Sequence, residues 1–145
     1  KSRVRKSIFD SLDIFNFNSV CDLFSGSGIM GFESASRGAK SITFVDNDFK
    51  SIKLIKKNAQ ILDGPDYNFF HMDVFKFLKN CNSYDLVYAD PPYGSYDLPH
   101  LVKLVLKHLN KNGILILECD KNQTPFLDCK LRDYGQTRIL QWVRK

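Results

Sequence analysis

The sequence predicts an α/β fold built on a mostly parallel sheet, and three observations lead to this prediction. Short apolar runs alternate with longer amphipathic stretches along most of the 145 residues. Such alternation is typical of parallel strands joined by right-handed helical crossovers, with helices on both faces of the sheet. The pattern changes near the end of the chain, where two apolar runs flank Gly135-Gln136 and predict an antiparallel hairpin.

Five segments have helical character. Residues 49–62 place Ile52, Ile55, Ala59 and Leu62 on one face and lysines on the other, which is the pattern of an amphipathic helix packed on a sheet. Gly38 can adopt the left-handed conformation that ends the helix before it. The predicted helices span residues 3–12, 29–37, 49–62, 74–79 and 98–109.

Seven shorter segments, rich in aliphatic and aromatic residues, have the length and composition of strands. They span residues 20–24, 42–45, 68–71, 84–89, 114–118, 130–134 and 137–143. The sheet should therefore have seven strands, the last two of them forming the hairpin. In sheets of this kind, ligands bind beyond the carboxyl ends of the parallel strands, next to the first strand.

Composition favours one globular domain over residues 1–145. Hydrophobic residues make up 43% of the chain, which is enough for a substantial core. The net charge of +5 and the pI of about 9.0 are compatible with a nucleic-acid partner. Part of the excess lies at Lys1, Arg3, Arg5 and Lys6. Such a cluster is as consistent with a solvated helix face as with a contact to phosphate.

Cysteine and histidine usage excludes several classes of site. The four cysteines are widely separated, with no C-x-x-C pair and no histidine at ligand spacing, so we predict no metal, no disulfide and a cytoplasmic protein. No apolar run approaches the roughly 20 residues that a membrane span needs. The chain begins at Lys1 without a methionine, and we expect the natural protein to have residues before it.

The segment Asp90-Pro91-Pro92-Tyr93 directly follows the predicted strand 84–89. Two prolines end the strand there, because proline lacks an N–H for the ladder and fixes φ. The Asp90 carboxylate and the Pro91 carbonyl can accept both N–H groups of an exocyclic amine, while Tyr93 can stack on a planar base. Asp90, Pro91, Pro92 and Tyr93 are therefore the candidate catalytic residues. A proline-stiffened turn without function would have the same composition.

A glycine-rich turn follows the first predicted strand. Gly26 and Gly28 allow a tight turn and a close approach to a ligand, and Gly31 permits close packing of helix on sheet. The helix that starts there favours negative charge at its N-terminus. Asp22 lies within the strand, where it can face a ligand ammonium. Phe24 is expected either to wall the ligand pocket or to fill the core.

Acidic residues also follow the second and third predicted strands. Asp46, followed by Asn47, can accept hydrogen bonds from both hydroxyls of a ribose. Asp73 can accept from an adenine amine, and Val74 offers a backbone donor to the ring. The candidate cofactor-binding residues are Asp22, Phe24, Gly26, Gly28, Asp46, Asn47, Asp73, Val74 and Asp90.

The glycine spacing also satisfies the dinucleotide-binding fingerprint, so an NAD-dependent oxidoreductase is an alternative. Three features count against it. Asp22 would repel a pyrophosphate, no constellation for hydride chemistry is evident, and the segment from Asp90 to Tyr93 has no role in a dehydrogenase.

Taken in order, these motifs resemble S-adenosylmethionine-dependent amino-methyltransferases. The fuller match is similar to the bacterial 16S rRNA guanine-N2 methyltransferases, the RsmD family, and covers essentially the whole chain. It rests on Arg3-Val4-Arg5, Phe9, Leu12, residues 22–28, Ser36-Arg37-Gly38-Ala39, Phe44-Val45-Asp46, Asp73, Asp85-Leu86-Val87 and residues 90–93. The chain departs from the family at Lys6, where a glutamate is usual, and it does not contain the β-hairpin and Arg-Pro-Thr segment that precede the first helix in family members.

This resemblance implies a Rossmann-like class I methyltransferase fold and S-adenosyl-L-methionine as cofactor. It implies methylation of the exocyclic N2 amine of a guanine, with 16S rRNA or the small ribosomal subunit as the RNA partner and no membrane. We expect a monomer. Adenine-N6 methylation of RNA or DNA, which uses the same tetrapeptide, is an alternative. DNA adenine enzymes usually insert a recognition domain, whereas Gly28 and Asp90 are only 62 residues apart (90 − 28).

The sequence also predicts the surroundings of several other aromatic and acidic residues. Tyr93 and Tyr96 could form a lip over the base, although Tyr96 is equally consistent with a plain surface aromatic. Glu118 is expected to be a solvated acid at a strand end. We expect Phe44, Phe77 and Trp142 to lie in the core.

Overall fold

The computed structural model describes residues 2–12 and 17–145, and within these ranges it contains seven strands and five helices. The strands are β1 (Ser19–Leu23), β2 (Ser41–Asp46), β3 (Asp66–His71), β4 (Tyr84–Ala89), β5 (Leu109–Asp120), β6 (Lys130–Tyr134) and β7 (Thr137–Val143). The helices are α1 (Ser2–Asp10), α2 (Ile29–Ser36), α3 (Phe49–Ala59), α4 (Val74–Lys79) and α5 (Leu98–Leu106).

The strands form one sheet in the order β3-β2-β1-β4-β5-β7-β6. Strands β1 to β5 pair in parallel, and β7 runs antiparallel to both β5 and β6. The predicted mostly parallel, Rossmann-like sheet with its C-terminal antiparallel hairpin is confirmed. The strand order reverses between β1 and β4, which is the switch point where ligands bind in such sheets.

The register of β1 against β4 decides what meets at this switch point. Leu23, the last residue of β1, pairs with Ala89, the last residue of β4. Because both strands run in the same direction and end together, the glycine turn (residues 24–28) and the segment from Asp90 to Tyr93 leave the sheet side by side. The two predicted halves of the site are therefore neighbours.

Each face of the sheet buries its own apolar cluster. Residues of α1, α2 and α3 pack on one face, and residues of α4 and α5 pack on the other. Side chains alternate between the faces along each strand, so that Phe44 lies in the first cluster and its neighbour Val45 in the second. The predicted core positions of Phe44, Phe77 and Trp142 are confirmed, since each is 4% exposed or less.

The main differences from the predicted elements lie at helix ends and in β5. The structure ends α5 at Leu106 and starts β5 at Leu109, whereas the sequence predicted a helix to 109 and a strand from 114. Leu109 is fully buried and continues the apolar spacing of the helix, which is why the sequence pattern extends too far. The early part of β5 is irregular, with Asn112 at a φ of 66° and a register shift opposite Tyr84 and Leu86. Likewise α3 ends at Ala59, whereas the sequence predicted a helix that continues to Leu62.

Within residues 2–12 and 17–145, no helix has the length and apolar character that crossing a membrane requires. The predicted basic cluster is described only in part, because Lys1 lies outside these ranges.

Replacing Gly31 with alanine should destabilise the fold. A Cβ at this position would lie 2.3 Å from Cε1 of Phe44 and 3.0 Å from Cγ2 of Ile42, and both side chains are fully buried. Overpacking of this kind typically costs about 1–3 kcal/mol of the free energy of unfolding. Urea denaturation measures the effect, with Ser36→Ala on the exposed side of the same helix as the matched control. An unchanged unfolding midpoint for Gly31→Ala would contradict this account of the helix–sheet contact.

Candidate active site

A cavity of about 210 Å³ opens at the carboxyl ends of β1, β4 and β5, below helix α1. Its wall combines backbone of the glycine turn, three carboxylates, apolar side chains and one guanidinium. The residues around it are Val4, Arg5, Ile8, Asp22, Phe24, Ser25, Gly26, Ser27, Ile29, Met30, Tyr88, Asp90 and Glu118.

The glycine turn is held against β2 by hydrogen bonds. Ser25 accepts from the Val45 N–H through its Oγ at 3.0 Å, and its own N–H donates to the Val45 carbonyl at 3.0 Å. Gly26 and Gly28 have φ angles of 56° and 79°, which favour glycine. A Cβ at Gly28 would lie 3.0–3.2 Å from three core side chains, whereas one at Gly26 would meet nothing within 4 Å. The backbone at Gly26 therefore borders open space that a ligand can enter.

Asp22 is a buried carboxylate at the inner end of this cavity. It is 2% exposed, and its Oδ2 accepts a hydrogen bond of 3.1 Å from the Gly31 N–H. Burial raises the pKa of Asp22 well above its ordinary value. The Gly31 hydrogen bond acts in the opposite direction, and the charges of Asp90 and Asp46 raise the pKa further. A cationic ligand group near Asp22 would reverse this effect, because it stabilises the ionised carboxylate.

Asp46 connects the ends of β1 and β2. Its Oδ2 accepts from the Gly26 N–H at 2.8 Å, and its Oδ1 accepts from the Asp48 N–H at 2.8 Å. A carboxylate has about four acceptor positions. Asp46 can therefore hold the turn and still receive the two hydroxyls of a ribose.

The other predicted nucleotide-binding residues lie further along the same edge of the sheet. Asp73 caps α4, and its carboxylate accepts from the Lys76 N–H at 3.1 Å. Val74 is the first residue of α4, where the backbone N–H has no acceptor within the helix. The carbonyl oxygen of Asn47 lies 3.1 Å from Nε2 of His71. These three residues do not border the 210 Å³ cavity, and neither does Asp46.

A row of aromatic rings covers this part of the edge. The Phe24 ring meets the Tyr96 ring edge-on, with centroids 4.9 Å apart. Tyr96 stacks on Phe75 at 5.8 Å, and Phe75 stacks on His100 at 5.4 Å. Burial raises the pKa of Tyr96, and the charges of Asp73 and Asp46 add to the shift. Tyr96 is thus half-buried between the rings of Phe24 and Phe75, unlike a plain surface aromatic, and it borders a second cavity of about 100 Å³ and not the one that contains Asp22.

The segment from Asp90 to Tyr93 separates two cavities. Asp90 borders the cavity that contains Asp22, while Pro91, Pro92 and Tyr93 border a second one of about 100 Å³. Tyr93 is 55% exposed, so its ring is available to a partner. The structure thus brings Asp90 to Asp22, Phe24, Gly26 and the helix α1, and it places Tyr93 on the outer side.

The prediction that Glu118 is a solvated acid is wrong. It is 5% exposed and accepts a hydrogen bond from the Tyr88 hydroxyl. Burial raises the pKa of Tyr88 well above its ordinary value, and the nearby charges of Glu118 and Asp90 add to this. The physical reason is that β5 continues to Asp120, so Glu118 lies inside the strand and faces the same layer as Tyr88.

Sequence reasoning missed Tyr88, Glu118 and the role of Arg5. Asp22 pairs directly with Tyr88 across β1 and β4, and Tyr88 pairs with Ile116, two residues before Glu118. Because side chains of a strand alternate, all three point to the face that α1 covers. The available signal in the sequence was the two-residue alternation of side chains along β1 and β5, which places Asp22 and Glu118 on this face. For Arg5, the sequence left open a solvated helix face or a contact to phosphate, whereas its side chain is only 26% exposed and borders the cavity.

The sheet order, the glycine turn at its switch point and the acids along its edge define the class I methyltransferase fold. Solved structures of this fold are similar over nearly the whole chain. A candidate methylase from Haemophilus influenzae aligns with a TM-score of 0.84 at 26% identity, covering 99% of this chain and 97% of that one. The magnesium protoporphyrin IX methyltransferase of Synechocystis, solved with bound S-adenosylmethionine, aligns with a TM-score of 0.73 at 17% identity, covering 99% and 77%.

The family described as Conserved hypothetical protein 95 matches residues 1–142. The ribosomal RNA small subunit methyltransferase D of Haemophilus influenzae is 31% identical over 83% of this chain and 67% of its own length. The candidate rRNA methyltransferase YlbH of Bacillus subtilis is 32% identical over 82% of this chain and 69% of its own. The chain therefore belongs to the RsmD family of rRNA methyltransferases, and it spans about two thirds of these curated relatives.

Asp22→Asn should stabilise the protein at neutral pH. Burial raises the folded-state pKa of Asp22 above its unfolded value of about 3.9, so the folded protein retains this proton to a higher pH than the unfolded chain does. The stability linked to this proton is fully present below the unfolded pKa and falls as the pH rises towards the folded pKa. Asparagine removes this loss and keeps an oxygen that can accept the Gly31 N–H.

The measurement is the free energy of unfolding in urea at about pH 5 and about pH 7, with Asp66→Asn on an exposed edge as the control. The advantage of Asp22→Asn should increase with pH. A variant that is less stable than wild type at both values would show that burial does not determine the behaviour of Asp22.

Proposed function

We propose that residues 1–145 form a single S-adenosyl-L-methionine-dependent methyltransferase domain that methylates the exocyclic N2 amine of a guanine in 16S rRNA. The substrate would be the small ribosomal subunit, which places the reaction in the cytoplasm, and the protein would act as a monomer. One observation carries the proposal. In a member of the RsmD family, the segment from Asp90 to Tyr93 lies beside the glycine turn at the switch point of the sheet.

The cofactor is S-adenosyl-L-methionine, and the residues at the switch point fit it. The open space at Gly26 allows the ligand to approach the backbone, and buried Asp22 matches its ammonium group. Asp46 has acceptor positions for the ribose hydroxyls. Asp73 and the N–H of Val74 match the polar edge of adenine, and the rings of Phe75 and Tyr96, which stack on each other at 5.8 Å, match its apolar faces.

When bound, the cofactor supplies an electrophilic methyl group on a sulfonium centre. Asp90 and the Pro91 carbonyl accept the two N–H groups of the target amine, which favours a pyramidal nitrogen with its lone pair turned towards the cofactor. The new N–C bond would form as the methyl–sulfur bond breaks, with neutral S-adenosylhomocysteine as the leaving group. The amine proton becomes acidic only in this step, so Asp90 or water would take it late. Most of the acceleration should come from alignment, since oriented intramolecular reactions reach effective molarities of roughly 10⁵–10⁸ M.

The exposed ring of Tyr93 provides a stacking surface for the target base, a contact worth about 1–3 kcal/mol in proteins that bind single strands. A guanine reaches this position only if it is unpaired or extruded from its helix.

An NAD-dependent oxidoreductase is disfavoured by the family of the chain and by buried Asp22, which would lie where a pyrophosphate binds. Adenine-N6 methylation uses the same acceptors and is distinguished by the product.

The product identifies the target amine. Small ribosomal subunits from a strain that lacks the gene, incubated with the protein and labelled cofactor, should yield labelled N2-methylguanosine after nuclease digestion. Subunits from a strain that carries the gene are the control and should accept no label. Labelled N6-methyladenosine as the sole product would transfer the proposal to adenine methylation.

Asp90→Ala should abolish methyl transfer and largely preserve binding of S-adenosylhomocysteine in calorimetry, because Asp90 acts on the target amine. Asp46→Ala is the matched variant with the opposite expectation. It should weaken the binding of S-adenosylhomocysteine, because Asp46 holds the glycine turn at Gly26 and also accepts from the ribose in this proposal. If Asp90→Ala lost both turnover and cofactor binding, its proposed role in the transfer step would be refuted.

A further inference from the structure

Helix α1 and the edge strand β6 border a groove on the face of the sheet that α1 covers. It consists of two cavities, of about 350 Å³ and about 70 Å³, which share Tyr134 as a border residue. We call it the α1–β6 groove. No carboxylate is found among the described residues that border it, and its basic and hydroxyl residues are Arg3, Ser7, Ser11, Lys130, Arg132 and Tyr134.

Strand β6 turns its basic side chains towards α1. Arg132 pairs with Ile139, which belongs to the apolar cluster that α1 covers. Lys130 and Tyr134 lie two residues to either side of Arg132, so the alternation of the strand places them on the same face. Two residues of a strand span about 6.6 Å, a distance comparable with that between successive phosphates on one strand of a nucleic acid.

Helix α1 provides the opposite wall of the groove. Ser7 lies four residues after Arg3, a spacing that places both on one side of a helix. The Ser11 N–H continues this side by donating to the Ser7 carbonyl at 3.2 Å. Val4 and Ile8 border the groove and also the 210 Å³ cavity of the active site. The groove therefore lies next to the active site, with α1 as the wall between them.

The three cations of the groove have no acidic partner within residues 2–12 and 17–145. The side chains of Arg3, Lys130 and Arg132 form no ion pair and no hydrogen bond with these residues. By contrast, Arg138 on the neighbouring strand is paired with Asp133 at 2.9 Å. Three like charges that face one groove without a carboxylate between them repel one another and attract an anion.

We propose that the α1–β6 groove binds the phosphate backbone of the RNA that carries the target guanine. The choice of RNA as the anion rests on the proposed function. Arg3, Lys130 and Arg132 neutralise phosphates, and the hydroxyls of Ser7 and Tyr134 donate hydrogen bonds to phosphate oxygens. Contacts of this kind carry no sequence information. They hold the RNA beside the active site, which selects the base.

The salt dependence of RNA binding tests the proposal, measured by fluorescence anisotropy with a labelled single-stranded oligoribonucleotide of mixed sequence. Each phosphate contact contributes about 0.7 to the slope of log affinity against log salt for a single strand. Arg3→Gln/Lys130→Gln/Arg132→Gln should therefore flatten the slope by about 2 and weaken binding roughly 10- to 100-fold at about 0.15 M salt. The affinity for S-adenosylhomocysteine should remain unchanged, because none of the three residues borders the 210 Å³ cavity.

The charge-matched control is Lys53→Gln/Lys57→Gln/Lys103→Gln, which removes three exposed lysines from α3 and α5 and should change the slope little. Arg132→Gln alone should flatten the slope by about 0.7 and decides the question if the triple variant does not fold. An unchanged slope in the groove variant, an equal change in the control, or a loss of S-adenosylhomocysteine affinity in the groove variant would overturn the proposal.

Small ribosomal subunits from a strain that lacks the gene distinguish RNA from other partners. The groove variant should raise the KM for these subunits roughly 10- to 100-fold and leave kcat within a few-fold of wild type. Weaker binding of subunits with unchanged binding of the oligoribonucleotide would indicate a ribosomal protein as the partner and would refute the proposal. If the slope changes as expected but the wild-type protein methylates no subunit, the groove is supported and the proposed function is not.

Discussion

The parallel pairing of β1 with β4 is the constraint on which the site depends. These strands are distant in sequence. Because Leu23 pairs with Ala89, the glycine turn after β1 and Asp90 after β4 leave the sheet at the same level. A shift of the register by one residue would turn Asp22 and Tyr88 towards opposite faces of the sheet. Core packing resists such a shift because Val20 and Leu86 bury on one face while Cys21 and Val87 bury on the other.

The same alternation concentrates negative charge beneath α1. Asp22 and Glu118 are buried, and Asp90 lies at the opening of the same cavity. Placing carboxylates together in a poorly solvated space raises the free energy of their ionised forms. Such an arrangement favours a ligand that brings positive charge, as the ammonium and sulfonium groups of S-adenosyl-L-methionine do. Arg5 on α1 supplies the opposite charge at one side of the cavity.

Much of the fold and part of the site could be predicted from the sequence. Strand positions were close to correct because β4, β6 and β7 are bounded by strong signals such as Pro91 and Gly135. The burial of Arg5 could not be predicted, because it depends on the docking of α1, which local patterns do not contain. Glu118 was predicted wrongly because β5 continues to Asp120, beyond the predicted strand end at 118, and the apolar spacing around Leu109 suited either a helix or a strand.

The glycine turn shows how the fold tolerates an unfavourable local structure at the site. Phe24 has a φ of 56°, a conformation that costs a non-glycine residue about 1–2 kcal/mol. It persists because both neighbours along the chain are fixed: Leu23 is paired on two sides within the sheet, and Ser25 bonds to Val45 through its backbone and its hydroxyl. The left-handed turn at Phe24 brings its ring into edge-on contact with Tyr96, with centroids 4.9 Å apart. The hydrogen bonds of Ser25 therefore determine the position of the aromatic wall as well as that of the turn.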